Sequence, residues 1–131
     1  MATKILPALT VLSACLLGST ANATDVEVHI QNLSNEGIRT SDSGFPRYLA
    51  PGESGTVTLN FPNTSSWVSV TYTSASGKTC SFTGSHSGYR DRAEREANAV
   101  GSQSYNNCGA IVNARKWSSP FHYRLGFWMT D

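Results

Sequence analysis

The sequence is poor in charge, in cysteine and in histidine. Ten Lys and Arg stand against nine Asp and Glu in 131 residues, with three histidines and three cysteines. So even a balance leaves no global field to gather nucleic acid or an anionic membrane. There is no HxxxH pair and no CxxC pair, so the usual zinc-ligand spacings are missing. The one long apolar run, Ile5 to Gly18, falls short of the roughly 20 residues that cross a bilayer. No internal repeat and no low-complexity tract interrupts the chain, and its length suits one domain rather than two.

What is present begins with an export signal. Lys4 gives a positive start, the apolar run follows, and Ala21-Asn22-Ala23 fits the small-x-small cleavage rule. Residues 1–23 are therefore expected to be a signal peptide and residues 24–131 the folded domain. A rival reading takes Leu12-Ser13-Ala14-Cys15 as a lipobox with Cys15 as the acylated anchor, but Leu16 and Leu17 continue the apolar run where a lipoprotein turns polar. Cleavage after Ala23 removes Lys4 and Cys15. Cys80 and Cys108 remain, and two cysteines in an exported chain are most simply one disulfide. The expected compartment is secreted or periplasmic.

Strand signals dominate the rest. Val26, Val28 and Ile30 alternate with polar residues, as do Val57, Leu59 and Phe61, which predicts strands with one buried face. Ile38-Arg39-Thr40 is a short strand candidate, and Pro46 confines the segment Phe45 to Leu49 to an edge. Pro51 and Gly52 occupy the central positions of a type II turn. Trp67 to Phe82 reads as a hairpin turning at Ser74 to Gly77, with Val68, Val70 and Tyr72 inward and Trp67 outward. Cys80 and Phe82 share one face of its second strand. Gly84 to Tyr89 reads as a loop. Arg90 to Val100 carries the one helical signal. Ala93, Ala97 and Val100 recur at i, i+4 and i+7, with Asp91–Arg95 and Arg92–Glu96 as i,i+4 pairs. A mobile charged loop fits the same residues, since an alanine stripe makes a marginal helix. Ala110 to Ala114 is a buried strand candidate and Arg115 to Pro120 a loop. In the final strand Phe121, Tyr123, Leu125, Phe127 and Met129 face one way. The expected fold is all-β: one antiparallel sandwich of about seven or eight short strands, one short helix over 90–100, and the Cys80–Cys108 bond.

Catalytic signals are thin. A secreted hydrolase needs a general base and acid, with an Arg where phosphate is handled. His86 or His122, with Glu94 or Glu96 and Arg124, supply those types without a spacing that joins them. His29 and His122 fall on polar strand faces, where a solvated histidine is ordinary. Gly84-Ser85-His86-Ser87-Gly88 has the outline of a nucleophile elbow, but histidine stands where serine is required. Arg90, Arg92 and Arg95 interleave with Asp91, Glu94 and Glu96, which reads as a self-paired surface. No catalytic residue, metal site or cofactor is assigned. The stronger hint is aromatic. Trp67, Tyr89, Trp117 and Trp128 do not fit the inward alternation, and Arg115, His122 and Arg124 lie close to the last two. Such mixtures mark surfaces that bind protein or glycan. Asn32 and Asn63 open N-glycosylation patterns that matter only in a eukaryotic host.

The order VEVHIQNLSNEGI, LAPGESGTV, VSVTYTSASGKTCSF resembles the aegerolysin and actinoporin type of small β-sandwich over Val26 to Phe82. That resemblance implies a sandwich that binds membrane lipid and builds pores. The second half departs from it, so no lipid-contact residue is carried over. The sequence thus leads to a non-enzymatic binding protein of the inhibitor, immunity or effector kind. Its expected partner is an unknown protein or glycan, not nucleic acid, reached through Trp67, Tyr89, Arg115, Trp117, His122, Arg124 and Trp128. A lipid-binding cytolysin-like protein is the alternative, and a small hydrolase using His86 or His122 is a second one.

Overall fold

The structure is a computed structural model that describes residues 24–89, 92–102, 106–116 and 120–131, with the backbone alone at 88–89, 92–94 and 114–116. The expected signal peptide with Cys15, and Trp117, lie outside the described residues. Among the described residues nine strands follow one another: β1 Thr24–Asn32, β2 Ile38–Arg39, β3 Tyr48–Leu49, β4 Ser54–Phe61, β5 Ser65–Ser74, β6 Thr79–Tyr89, β7 Arg92–Gly101, β8 Cys108–Lys116 and β9 Phe121–Met129. They form a four-stranded sheet in the order β4-β1-β9-β8 and a five-stranded sheet in the order β3-β2-β5-β6-β7. The two pack face to face as a β-sandwich.

Alternation decides what is buried. In β9 Phe121, Tyr123, Leu125, Phe127 and Met129 are all buried, and the residues between them face out. Val26, Val28 and Ile30 of β1 do the same beside it. Across the interface stand Val68, Val70 and Tyr72 of β5 and Phe82 of β6. Phe82 and Phe127 stack with ring centroids 4.8 Å apart and planes within 9°. The Pro51–Gly52 turn is as expected. Glu53 N–H donates to the Ala50 carbonyl at 2.9 Å, and Gly52 sits at φ 81°, where a side chain is disfavoured.

Two expectations about residues 84–101 are corrected. Residues 92–101 are strand β7 and not part of a helix over 90–100; residues 90 and 91, and with them the Asp91–Arg95 pairing, lie outside the described residues. The same alanines also satisfy period two. Ala97 and Ala99 pack against the core while Val100, which the helical stripe required inside, is 65% exposed. A marginal helix offers little against a ladder with β6 that runs from Cys80↔Gly101 to Tyr89↔Arg92. For the same reason Gly84 to Tyr89 is not a loop but the second half of β6, paired on both sides through Ser87. Of the strand pairings, that between β1 and β9 is parallel, Thr24↔Phe121 through Asn32↔Met129, and the others are antiparallel.

Asn32 ends β1 as a fully buried polar side chain with its groups satisfied. Its amide nitrogen donates to the carbonyls of Glu36 (2.7 Å) and Leu49 (3.0 Å), and its oxygen accepts from the N–H and hydroxyl of Ser34. The Asn32 pattern is therefore a structural joint in the folded chain, with no free amide for a glycan. Asn63 is exposed.

Cys80 of β6 and Cys108 of β8 are disulfide-bonded, with Cα atoms 5.8 Å apart, and so cross-link the two sheets. The bond closes 28 residues of chain, which in the chain-entropy account contributes roughly 3–4 kcal/mol. Replacing both cysteines by alanine is expected to lower the unfolding free energy by about that amount in urea titration. A loss below about 1 kcal/mol contradicts a sandwich braced by this bond.

Candidate binding surfaces

The structure divides the residues singled out in the sequence between the two sheets. Trp67 and Tyr89 belong to β5 and β6 of the five-stranded sheet. Arg115, His122, Arg124 and Trp128 belong to β8 and β9 of the four-stranded sheet. The outer faces point in opposite directions, so Trp67 shares no surface with His122, Arg124 and Trp128.

Registers across the four-stranded sheet set up transverse rows on its outer face. Gln31, Trp128 and Gly109 form one row, His29, Gly126 and Ile111 the next, and Glu27, Arg124 and Asn113 the third. Asp25 and His122 begin a fourth. Arg124 Nε lies 2.6 Å from Glu27 Oε1, so the parallel pairing of β1 and β9 sets an ion pair on the surface. His29 Nδ1 bonds the Thr56 hydroxyl at 2.9 Å. The Trp128 ring lies over Gly109, where an added Cβ would run into the indole, so the absence of a side chain there gives the ring its seat. Ile111 stands 51% exposed in the neighbouring row. The sequence placed Ala110 to Ala114 in a buried run. The strand alternates instead, and Ile111 is on its outward phase.

Trp67 is 63% exposed. Its cross-strand partner is Ser85, whose other partner is Glu96, and its same-face neighbours on β5 are Ser65 and Ser69. One indole among hydroxyls and a carboxylate is not an apolar patch of the size that enters a bilayer. No helix among the described residues is long and apolar enough to cross a membrane, which leaves strands untouched.

The histidines separate cleanly. His122 is exposed, with no hydrogen bond to Asp25 beside it. His86 is on the inner face, 2% exposed, stacked on Tyr123 with centroids 4.7 Å apart and tilted against Phe121 at the same distance. Tyr123 in turn shares a 2.5 Å hydrogen bond with Ser66. His86 borders a cleft of about 230 Å³ with Ser85, Ser87, Arg95 and Glu96. Glu96 accepts the Asn98 amide and is not bonded to the ring, and Nδ1 of His86 has no partner among the described residues. Burial pushes the His86 pKa down, a backbone hydrogen bond to Thr64 opposes the shift, and the Arg95 charge adds to it. This is a neutral core ring, without the acid that hydrolysis requires of it. No cluster of three metal-binding side chains occurs among the described residues.

Sequence reading missed a third surface. Arg39, Thr40, Ser41, Arg47, Tyr48 and Thr73 line an open groove of about 480 Å³ at the β2–β3 end of the five-stranded sheet. Arg39 and Arg47 are eight positions apart in a stretch broken by Pro46, and no motif joins them. Only the antiparallel pairing Arg39↔Tyr48 brings the second arginine alongside the first.

No family model matches the chain, and no curated protein matches it.

The His86 shift gives stability a pH dependence. The folded-state pKa lies below the unfolded value of about 6.5, so the unfolded chain binds the proton first. The contribution is complete above about pH 6.5 and is lost as pH falls from there toward the folded value. In denaturant titrations across that window, His86→Phe is expected to lose stability less steeply on acidification than the parent. Equal slopes would contradict a buried neutral ring.

Proposed function

We propose that this is a non-enzymatic binding protein acting outside the cytoplasm, secreted or periplasmic once residues 1–23 are removed. It recognises a partner protein through the outer face of its four-stranded sheet. The observation that carries the reading is the set of rows on that face. Trp128 and the half-exposed Ile111 stand beside the Glu27–Arg124 pair and His122, so apolar area and fixed charge lie on one sheet face. Binding energy concentrates in such aromatic and arginine anchors, and fixed charges select among partners. The Cys80–Cys108 bond suits an oxidising compartment. Lipid binding of the cytolysin kind finds less support, because the described residues that adjoin Trp67 on its face, Ser65, Ser69, Ser85 and Glu96, are polar. Hydrolysis finds less still, because neither His86 nor His122 is bonded to an acid among the described residues.

The test is capture from the extracellular fraction of the producing cell, with the purified protein and two variants as bait. The parent is expected to retain one saturable protein partner. Ile111→Glu should lose it at least tenfold, at an unchanged melting temperature, while Trp67→Ala on the opposite sheet keeps it. No saturable partner, or one held equally by Ile111→Glu, would overturn the reading.

A further inference from the structure

The groove at the β2–β3 end carries two arginines without an ion pair among the described residues. Arg39 and Arg47 meet no carboxylate among the described residues. Each acid close to them in sequence is already engaged. Glu36 accepts the Ser76 N–H and hydroxyl at 2.8 Å and pairs with Lys78. Asp42 accepts the Thr71 N–H at 2.9 Å. Glu53 accepts the Ala50 N–H at 2.9 Å. The Arg39 guanidinium instead lies 5.5 Å from the centre of the Tyr48 ring. That contact with the ring face occupies none of the guanidinium N–H donors with a carboxylate.

The support beneath the groove is rigid. Asn32 ties the Glu36 and Leu49 carbonyls together, so the start of β2 and the end of β3 are fixed on one buried joint. Thr40 N–H donates to the Arg47 carbonyl at 3.0 Å. The Tyr72 hydroxyl, in a site that raises its pKa to about 12 chiefly through burial, donates to the Pro46 carbonyl at 2.6 Å. The chain on both sides of Arg47 is therefore held. Gly37 lies under Tyr48, and an added Cβ there would strike the ring, so the glycine lets the tyrosine lie flat along β2.

We propose that this groove binds an anionic saccharide: a sugar whose sulfate or carboxylate is gripped by Arg39 and Arg47 and whose hydroxyls meet Ser41 and Thr73. Two guanidinium forks suit a planar carboxylate or a sulfate edge. The space is far larger than a lone oxyanion needs and falls in the range of small-ligand sites. Its remaining lining is hydroxyl-bearing, as sugar hydroxyls require. Two arginines in a chain of balanced charge are too few to track a nucleic acid backbone. This site lies on the other sheet from the protein-binding face and does not depend on it.

Calorimetric titration of the purified protein tests this with a sulfated heparin tetrasaccharide, tetragalacturonate, neutral maltotetraose and phosphatidylglycerol vesicles. At least one of the two anionic saccharides is expected to bind, with maltotetraose silent. Arg39→Gln/Arg47→Gln should weaken binding at least tenfold. Arg47→Gln alone keeps the Arg39–Tyr48 stack and should weaken it measurably with an unchanged melting temperature. Ile111→Glu should leave it untouched, which separates this site from the protein face. Silence from both anionic saccharides would overturn the proposal, as would equal binding by the arginine variants or equal binding of maltotetraose. Arginine-dependent binding of the vesicles alone would assign the groove to a lipid headgroup and overturn it as well.

Discussion

The parallel pairing of β1 with β9 is the constraint on which the rest of the molecule depends. It joins the start and the end of the described chain in nine consecutive rows at the centre of the four-stranded sheet. Among the described residues β4 is hydrogen-bonded to β1 and β8 to β9, so neither outer strand has a place in that sheet until the central pair exists. The inward residues of the two strands then present a continuous apolar layer, from Val26 and Tyr123 to Ile30 and Phe127. Against that layer β5 and β6 pack. Such a contact spans most of the sequence, and its loop-closure cost is met only by burial that comes once both sheets are assembled. The disulfide supplies the complementary brace, linking β6 to β8 across the two sheets.

The outer faces inherit their chemistry from this arrangement. Because β1 and β9 run in the same direction and in step, Glu27 falls beside Arg124 and Asp25 beside His122. A slip of one residue would send every core side chain of β9 outward, so the register that fills the core also fixes the surface. The groove on the five-stranded sheet is likewise a product of pairing. β2 and β3 are two residues each, held by Asn32 at the tip of β1, by the Tyr72–Pro46 and Thr40–Arg47 hydrogen bonds and by pairing of β2 with β5. The surfaces offered for recognition are thus downstream of the core and carry little of its stability. Substitutions at Arg39, Arg47 or Ile111 can be read as changes in binding.

Alternation made much of the fold legible from the residues. The faces of β1, β4, β5 and β9, the turn at Pro51–Gly52 and the pairing of Cys80 with Cys108 all follow from local pattern and cysteine count. Residues 84–101 did not yield to that approach. A glycine- and serine-rich segment and an alanine-rich charged one have weak intrinsic preference, and the decision rests with the free ladder edges each offers the other. Parallel pairing of β1 and β9 leaves no local mark, since antiparallel and parallel neighbours need the same inward residues. The candidate sites were less legible than the fold. The sequence marked Trp67, Tyr89, Trp117 and Trp128 by exclusion from the inward alternation, and Arg115, His122 and Arg124 by closeness to the last two, neither of which says which sheet carries a side chain. Arg39 and Arg47 became neighbours only through a two-residue strand pairing, too short to leave a pattern.

Native-state amide hydrogen exchange tests the dependence on the β1–β9 pair most directly. The ladder-bonded amides of Thr24–Asn32 and Phe121–Met129 should be the slowest in the protein and should exchange together, at the free energy of global unfolding. If β1 amides exchange well before those of β9, while β5 and β6 stay protected, the central pairing is not what holds the sandwich together.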